Sequence, residues 1–252
     1  MKVSLITVTK NSEEFILRCI NSVNSQTYSD IEHIFIDGES EDNTVEIIKR
    51  SSHRTNRVIS EKDNGIYDAM NKGLSLASGD IIGFLNSDDY FYNENTLEDI
   101  VSLFDNDIGC VYGNLEFVDL NGNIKRYWRS KEFTYENISK GIFPPHPTFY
   151  FKRELLQGVS TFNTKINICA DLDFMIRIRK IKDLRYQKID KVLVKMQVGG
   201  LSTRGIRSNV KILFETYDIL KNNNIRTNWL KLITFKVIKI LEQKNRIALS
   251  RD

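Results

Sequence analysis

The chain predicts an α/β domain, a mixed sheet flanked by helices, with a helical extension at its C-terminal end. Three observations predict it. Short β-branched runs alternate with amphipathic stretches of about 10 to 15 residues, the pattern of βαβ units around a parallel sheet. Each run ends in a polar loop that carries aspartate. Beyond residue 105 the texture changes to hairpin-like pieces, which lay antiparallel strands against the parallel half.

The elements follow in order. Val3 to Val8 is a strand, ending in Thr7-Val8-Thr9-Lys10-Asn11. A helix capped by Asn11 or Ser12 places Phe15, Cys19, Ile20 and Val23 on one face. His33 to Ile36 is a second strand, and the loop Asp37-Gly38-Glu39-Ser40 leads to a short helix bearing Val45 and Ile48. Val58 to Ser60 is a third strand, closed by Lys62-Asp63-Asn64-Gly65. The next helix spaces Ile66, Met70, Gly73, Leu74 and Ala77 along one stripe, with Gly79 as its stop. The strand Ile81 to Leu85 then runs into Asn86-Ser87-Asp88-Asp89. A helix over 95–104 buries Leu97, Ile100, Val101 and Phe104. Cys110 to Asn114 and Leu115 to Leu120 are strand-like, and Asn121-Gly122-Asn123 turns into Ile124 to Trp128. Pro144-Pro145-His146-Pro147 precedes a strand over Thr148 to Phe151, and a helix runs from Asp171 to Lys180.

Composition excludes several classes. At 252 residues, 41% hydrophobic and 27% charged, the chain has ample core and no low-complexity tract. No apolar run approaches the ~18 residues that a membrane span needs. The start passes directly into a strand, so no cleavable signal is expected. Cys19, Cys110 and Cys169 lie far apart, without metal-ligand spacing, and read as reduced core residues of a cytoplasmic protein. There is no Gly-x-Gly-x-x-Gly after the first strand and no Gly-x-x-x-x-Gly-Lys-Ser/Thr, which argues against dinucleotide and P-loop sites.

In open α/β sheets ligands bind at the carboxyl ends of the strands. Thr9, Asp37, Asp63, Asp88 and Asp89 therefore gather on one rim. Adjacent carboxylates repel unless a cation sits beside them, and one or two carboxylates plus substrate phosphates is the usual magnesium arrangement. Aspartates also cap helices and fill turns, and four such loops in succession outweigh that reading.

Four stretches occur in order: Ser4-Leu5-Ile6-Thr7-Val8-Thr9; Ile36-Asp37-Gly38-Glu39-Ser40-Glu41-Asp42-Asn43-Thr44; Ser60 through Gly73; and Leu85-Asn86-Ser87-Asp88-Asp89. Together they resemble the family 2 inverting glycosyltransferases of the GT-A fold, which build bacterial surface polysaccharides from nucleotide sugars. The resemblance covers residues 1–203, implying a GT-A domain there and a separate basic helical extension over 204–252. It implies that Thr7 and Thr9 lie beside the nucleobase, that Asp37 meets base or ribose, and that Asp63 lies near both. Asp88 and Asp89 would hold ribose and a divalent metal, magnesium or manganese, without deciding which does which. Asn86 departs from the family's usual first acid.

An acceptor hydroxyl needs a base on the far side of the sugar. By resemblance Asp171 falls at that place, preceded by Ala170 where the family usually has Glu. Asp171 could equally cap its helix, and Asp173 is the alternative base. His146 resembles a position near the acceptor or the diphosphate, though a histidine between prolines is as often structural. Val198-Gly199-Gly200-Leu201-Ser202 resembles a loop that closes over the diphosphate, glycine permitting close approach. Tyr127, Trp128 and Phe143 could stack on a sugar, but aromatic residues at this density are ordinarily core.

The tail from Arg204 holds eleven Lys/Arg against four Asp/Glu. Val210, Leu213, Phe214, Tyr217 and Leu220 form one stripe, and Trp229, Leu230, Ile233, Val237, Ile240 and Leu241 a second, with Lys231, Lys239 and Arg246 off it. Such stripes pack on protein, on another subunit, or on an anionic membrane at its inner face. The partners the resemblance implies are a nucleotide-sugar donor, a UDP-sugar by family frequency, and a glycan or lipid-linked acceptor, with no nucleic acid. A sugar-nucleotide pyrophosphorylase or a non-catalytic nucleotide-sugar scaffold are the rival readings.

Overall fold

The computed structural model describes residues 1–199 and 205–249, so Gly200 and the boundary at 203/204 lie outside the described residues. Four parallel strands form as expected: β1 (Val3–Thr9), β2 (Ile31–Asp37), β3 (Thr55–Ser60) and β4 (Ile81–Phe84), in the order β3-β2-β1-β4. They are joined by α1 (Ile16–Asn24), α2 (Thr44–Ser51) and α3 (Ile66–Leu76). Alternation along β1 divides the core between the faces. Leu5 packs with Ile16, Ile20 and Val23 of α1, while Ile6 and Val8 pack with Met70 and Leu74 of α3. Glu32, almost wholly buried, ties the strand starts together by accepting from Ser4, Ser78, Gly79 and Lys2. Burial alone would raise its pKa, but those donors hold it at about 2.

The second half continues the sheet with mixed direction. Its elements are β5 (Tyr90–Phe91), α4 (Thr96–Val101), β6 (Ile108–Val118), β7 (Ile124–Trp128), α5 (Tyr135–Ile138), β8 (Tyr150–Lys152), α6 (Ala170–Arg179) and β9 (Arg185–Gln197). β8 lies antiparallel between β4 and β6, β9 is parallel to β6, and β5 closes the far edge antiparallel to β9. β7 forms the predicted hairpin with β6, and its turn needs Gly122, whose φ is +80°. Gly83 is needed for another reason: an added Cβ would overlap the ring of Tyr150, which β8 lays across β4.

Three details differ from the sequence pattern. The two expected strands after Cys110 are one continuous β6. The strand expected over Thr148 to Phe151 starts only at Tyr150, because the Thr148 amide and hydroxyl both donate to Pro145 O (3.0 and 2.9 Å) and close a 3-10 turn over His146–Thr148. β9 was not foreseen: Arg185, Lys188, Lys191 and Lys195 interrupt the apolar alternation that would signal a strand.

The tail forms α7 (Gly205–Asn222) and α8 (Trp229–Leu249). Both dock on the domain, and Ile219, Leu220 and Leu232 enter the same core cluster as α3 and α6. Asn223 donates to Asp173 Oδ1 across that contact (3.1 Å). Of the surfaces that the α8 stripe could pack on, the catalytic domain is not the one it meets. Its exposed side carries Leu230, Ile233, Val237 and Leu241, while Leu232, Lys236, Lys239 and Gln243 face the domain. Among the described residues no helix is long and apolar enough to cross a membrane. All three cysteines are free and buried.

Candidate active site

The parallel strands bring their carboxyl ends to one rim. The Gly38 amide donates to Thr9 O (2.9 Å) and the Glu61 amide to Asp37 O (3.0 Å). Ser12 and Ser87 hydroxyls meet at 3.0 Å, tying the loop after β1 to the loop after β4. Asp63 stands directly over Gly38, where an added Cβ would overlap its Oδ2. Its other oxygen accepts from the Gly65 amide (2.8 Å), which orders the entry to α3. Thr9 Oγ1 is enclosed and has no partner among the described residues, which marks an unfilled polar position on the rim.

Two residues expected on the nucleobase are turned inward instead. Thr7 is fully buried and donates to Leu85 O (2.7 Å), so His33 Nε2 (2.9 Å) must donate to Thr7. That places a proton on His33 Nε2, and burial pushes the ring's pKa down to about 3, which keeps it neutral with Nδ1 unprotonated. Asp37 is also fully buried. Both its oxygens are taken, by the Ser40 amide (2.9 Å), the Ser40 hydroxyl (2.5 Å) and the Ser60 hydroxyl (2.6 Å). Asp37 thus shapes the loop and presents no free oxygen to a ligand in this geometry.

The carboxylate pair divides its work. Asp89 is completely buried and accepts from Asn86 Nδ2 (3.2 Å) and the Gln197 amide (3.3 Å). Asp88 is half-buried at the mouth. Burial raises both pKa values, and the charge of Asp88 raises Asp89 further. Arg18 of α1 is the cation that answers them. It lies 4.4 Å from the Tyr90 ring centroid and donates to Gln197 Oε1 (2.8 Å) and to the Asp88 carbonyl (3.4 Å). Asn86 Oδ1 is enclosed without a partner among the described residues. A carboxylate at the mouth, a second behind it and an unpaired amide oxygen are hard donors that suit magnesium or manganese. Among the described residues no cluster of three His, Cys, Asp or Glu side chains stands ready for an ion, so substrate oxygens and water must complete any coordination. β9 ends here: Gln197 is two residues before Gly199, whose φ of +112° turns the chain as only glycine does easily.

Asp171 lies in the first turn of α6, one residue inside the helix rather than at its cap. Two elements hold this helix start. Tyr67 of α3, four residues after Asp63, donates its hydroxyl to Ile168 O, and Glu215 of α7 accepts from the amides of Ile168 (2.9 Å) and Cys169 (3.0 Å). Burial raises the Asp171 pKa to about 6, against the lowering effect of the Leu172 and Asp171 amides and of Lys239, with Glu215 adding to the rise. Asp173 is committed elsewhere: Arg177 Nε donates to Oδ2 (2.9 Å) and Asn223 to Oδ1 (3.1 Å). Geometry therefore separates the two candidates and leaves Asp171 available. His146 sits in an aromatic layer, its ring 4.9 Å from Phe84 and 5.8 Å from Phe162, with Nε2 enclosed. Burial pushes its pKa to about 4, so it is neutral at pH 7. A cavity of about 500 Å³ is lined by Tyr135, Lys180 and 223–226 and by none of the rim carboxylates.

The family model described as "Glycosyl transferase family 2" matches residues 4–183. The chain belongs to that family. It is a glycosyltransferase that uses nucleotide sugars, and its fold is GT-A. Among relatives of this glycosyltransferase, the UDP-Glc:α-D-GlcNAc-diphosphoundecaprenol β-1,3-glucosyltransferase WfgD of Escherichia coli is 32% identical over 159 residues, 63% of each chain. Among solved structures, Staphylococcus aureus TarS 1-349 in complex with UDP-GlcNAc superposes with a TM-score of 0.67 at 20% identity, covering 93% of this chain and 71% of that one. The mannosyltransferase PcManGT from Pyrobaculum calidifontis, in complex with GDP-Man and Mn2+, gives 0.65 at 17% identity, covering 94% and 69%.

In the glycosyltransferase, then, Thr9, Asp63, Asp88 and Asp89 share one rim, and Asp171 stands on the wall that Tyr67 links to it. Thr7 and Asp37 support the rim from beneath. Arg18, Gln197 and Tyr67 are the residues that sequence reasoning missed. Arg18 sits on the outer side of an unremarkable amphipathic helix, and Gln197 ends a strand whose pattern is masked by lysines.

Proposed function

We propose that the transferase moves a sugar from a UDP-sugar to a glycan or lipid-linked acceptor with inversion, in one displacement. What supports this reading is an acidic rim together with Asp171, a carboxylate with no ion-pair partner among the described residues, on a helix start that Tyr67 ties to the helix following Asp63. An inverting transfer needs a base on the side of the sugar opposite the leaving diphosphate. Asp171 takes the acceptor proton, and its raised pKa of about 6 suits a base working near neutral pH. Thr9 and Asp63 hold the nucleoside, and the Gly199-Gly200 loop closes over the diphosphate. Asp88, backed by Asp89 and Asn86, would hold a divalent ion, which supplies charge neutralisation for the leaving diphosphate. Arg18 and Gln197 keep the two carboxylates in register. His146, neutral in its aromatic layer, supports the cleft floor and moves no proton. The exposed apolar side of α8 suits contact with a membrane that carries the acceptor. In this reading α7 and α8 form a basic helical extension packed against the catalytic domain.

The test is a thermal-shift panel of UDP-, GDP- and TDP-sugars with and without manganese, followed by release of nucleoside diphosphate with candidate acceptors. Stabilisation by one nucleotide class that grows with manganese supports the donor reading. No stabilisation by any nucleotide sugar would sink it.

A further inference from the structure

The basic tail does not leave its charge on the surface. Lys236 and Lys239, three apart on α8, share the face laid against the domain. Lys239 Nζ lies 3.2 Å from the ring centroid of Trp128 and 5.3 Å from that of Phe143. Trp128 stacks on Phe117 (6.3 Å, 12°), and Arg126 covers Phe117 with its guanidinium 4.1 Å from the centroid. The result is a layered stack of cation, ring, ring, cation on one face of the β6–β7 hairpin. Lys236 donates to Asn209 O (2.5 Å), and Lys131, close by, is paired with Glu242 (2.9 Å). Among the described residues no carboxylate lies within ion-pair distance of Lys239, Lys236 or Arg126, although these are half-buried side chains.

Buried ammonium groups are ordinarily paired, and an aromatic face returns only part of the lost hydration. The negative groups near the cluster are Asp171 of α6, which acts on Lys239, and Glu242 of α8, which lines the same small cavity as Lys239 and is already paired with Lys131. Burial, with Lys236, Arg126 and Lys131 nearby, pushes Lys239 down to about 7, partly offset by Asp171. A cluster of mutually repelling cations beside the base is a site built for an anion.

We propose that Lys239, with Lys236 on the same face of α8, binds an anionic group of the acceptor, a phosphate ester, a diphosphate or a sugar carboxylate, next to the hydroxyl that Asp171 deprotonates. This rests on Asp171 marking the acceptor side. Anion binding restores the proton to Lys239, so it is accompanied by proton uptake at pH 7.5.

The experiment titrates inorganic pyrophosphate, inorganic phosphate and glucuronate into the full chain in a metal chelator. Calorimetry in two buffers of different ionisation enthalpy reads affinity and proton uptake. At least one anion is expected to bind with uptake of part of a proton. Lys239→Met should weaken it about tenfold or more and remove the uptake, whereas Lys239→Arg keeps the affinity. Preference for pyrophosphate assigns a phosphorylated carrier, and preference for glucuronate an acidic sugar. Absence of binding by all three anions, or binding that Lys239→Met leaves as it was, overturns the proposal. Should Lys239→Met not fold, Lys236→Met is read in the same way. A nucleotide-sugar thermal shift run alongside reports the donor side separately, so loss of one reading does not disguise loss of the other.

Discussion

Replacing Asp171 by Asn tests the catalytic assignment and its physical basis together. The carboxyl is held at a pKa of about 6 against an ordinary 3.8, chiefly by burial, with Lys239, Glu215 and Tyr67 facing it. Between those two values the folded chain keeps a proton that the unfolded chain releases. The stability contributed by the neutral acid is therefore fully present below pH 4 and lost as pH rises through 6. About two units correspond to up to about 3 kcal/mol at pH 7. Asn carries no charge to desolvate, so Asp171→Asn should be more stable than the parent at pH 7 by up to that amount, and no different at pH 4. Its turnover should fall about 10²-fold or more, because the base is gone. In the parent, kcat/KM should rise with pH through about 6 and level off above it. Urea denaturation at the two pH values and initial rates of nucleotide release measure all three. A variant that turns over normally, or one whose stability difference is the same at pH 4 and pH 7, would refute the reasoning.

Other substitutions separate positions that the motifs alone cannot. Asp88→Ala should abolish the gain in nucleotide-sugar affinity on adding manganese, read by calorimetry; an intact gain removes Asp88 as a ligand. Thr7→Val should cost about 1–3 kcal/mol by leaving His33 and Leu85 O unpaired, with little change in nucleotide affinity; a large affinity loss at unaltered stability would put Thr7 back on the base. Gly83→Ala should destabilise by about 3 kcal/mol as its methyl meets the Tyr150 ring, seen as a lower urea midpoint.

The parallel half was legible because both its faces are covered. A strand buried on both sides keeps a continuous apolar run, and a loop at its end stands out by polarity, as Ile81 to Asp89 does. What periodicity cannot show is which way a rim side chain turns. Thr7 and Thr9 sit on the same strand face, yet one hydroxyl is spent on Leu85 O and the other is unpartnered. Asp37 and Asp63 occupy equivalent loop positions, yet Ser40 and Ser60 consume only the first. Ser40 is a local partner of Asp37, but Leu85 lies 78 residues from Thr7 and Ser60 lies 23 from Asp37, contacts that one-dimensional spacing does not encode.

α8 carries the same lesson into energetics. A stripe of leucine and isoleucine ordinarily turns inward, because burying each large apolar side chain is worth about 1.5–3 kcal/mol. Here Leu230 remains 77% exposed, and the lysines take the inward face. The orientation is set by what the helix meets: Trp128 and Phe143 offer π faces to Lys239, Glu242 reaches Lys131, Trp229 stacks on Tyr217, and Leu232 joins the core cluster that α6 and α7 also enter. Rotating α8 to bury its leucines would strip the rings from Lys239 and press apolar side chains against Arg126 and Asp171. The inversion therefore leaves two surfaces from one helix, a cationic one beside the base and an apolar one facing outward. An acceptor with an anionic linkage and a hydrophobic anchor would engage both.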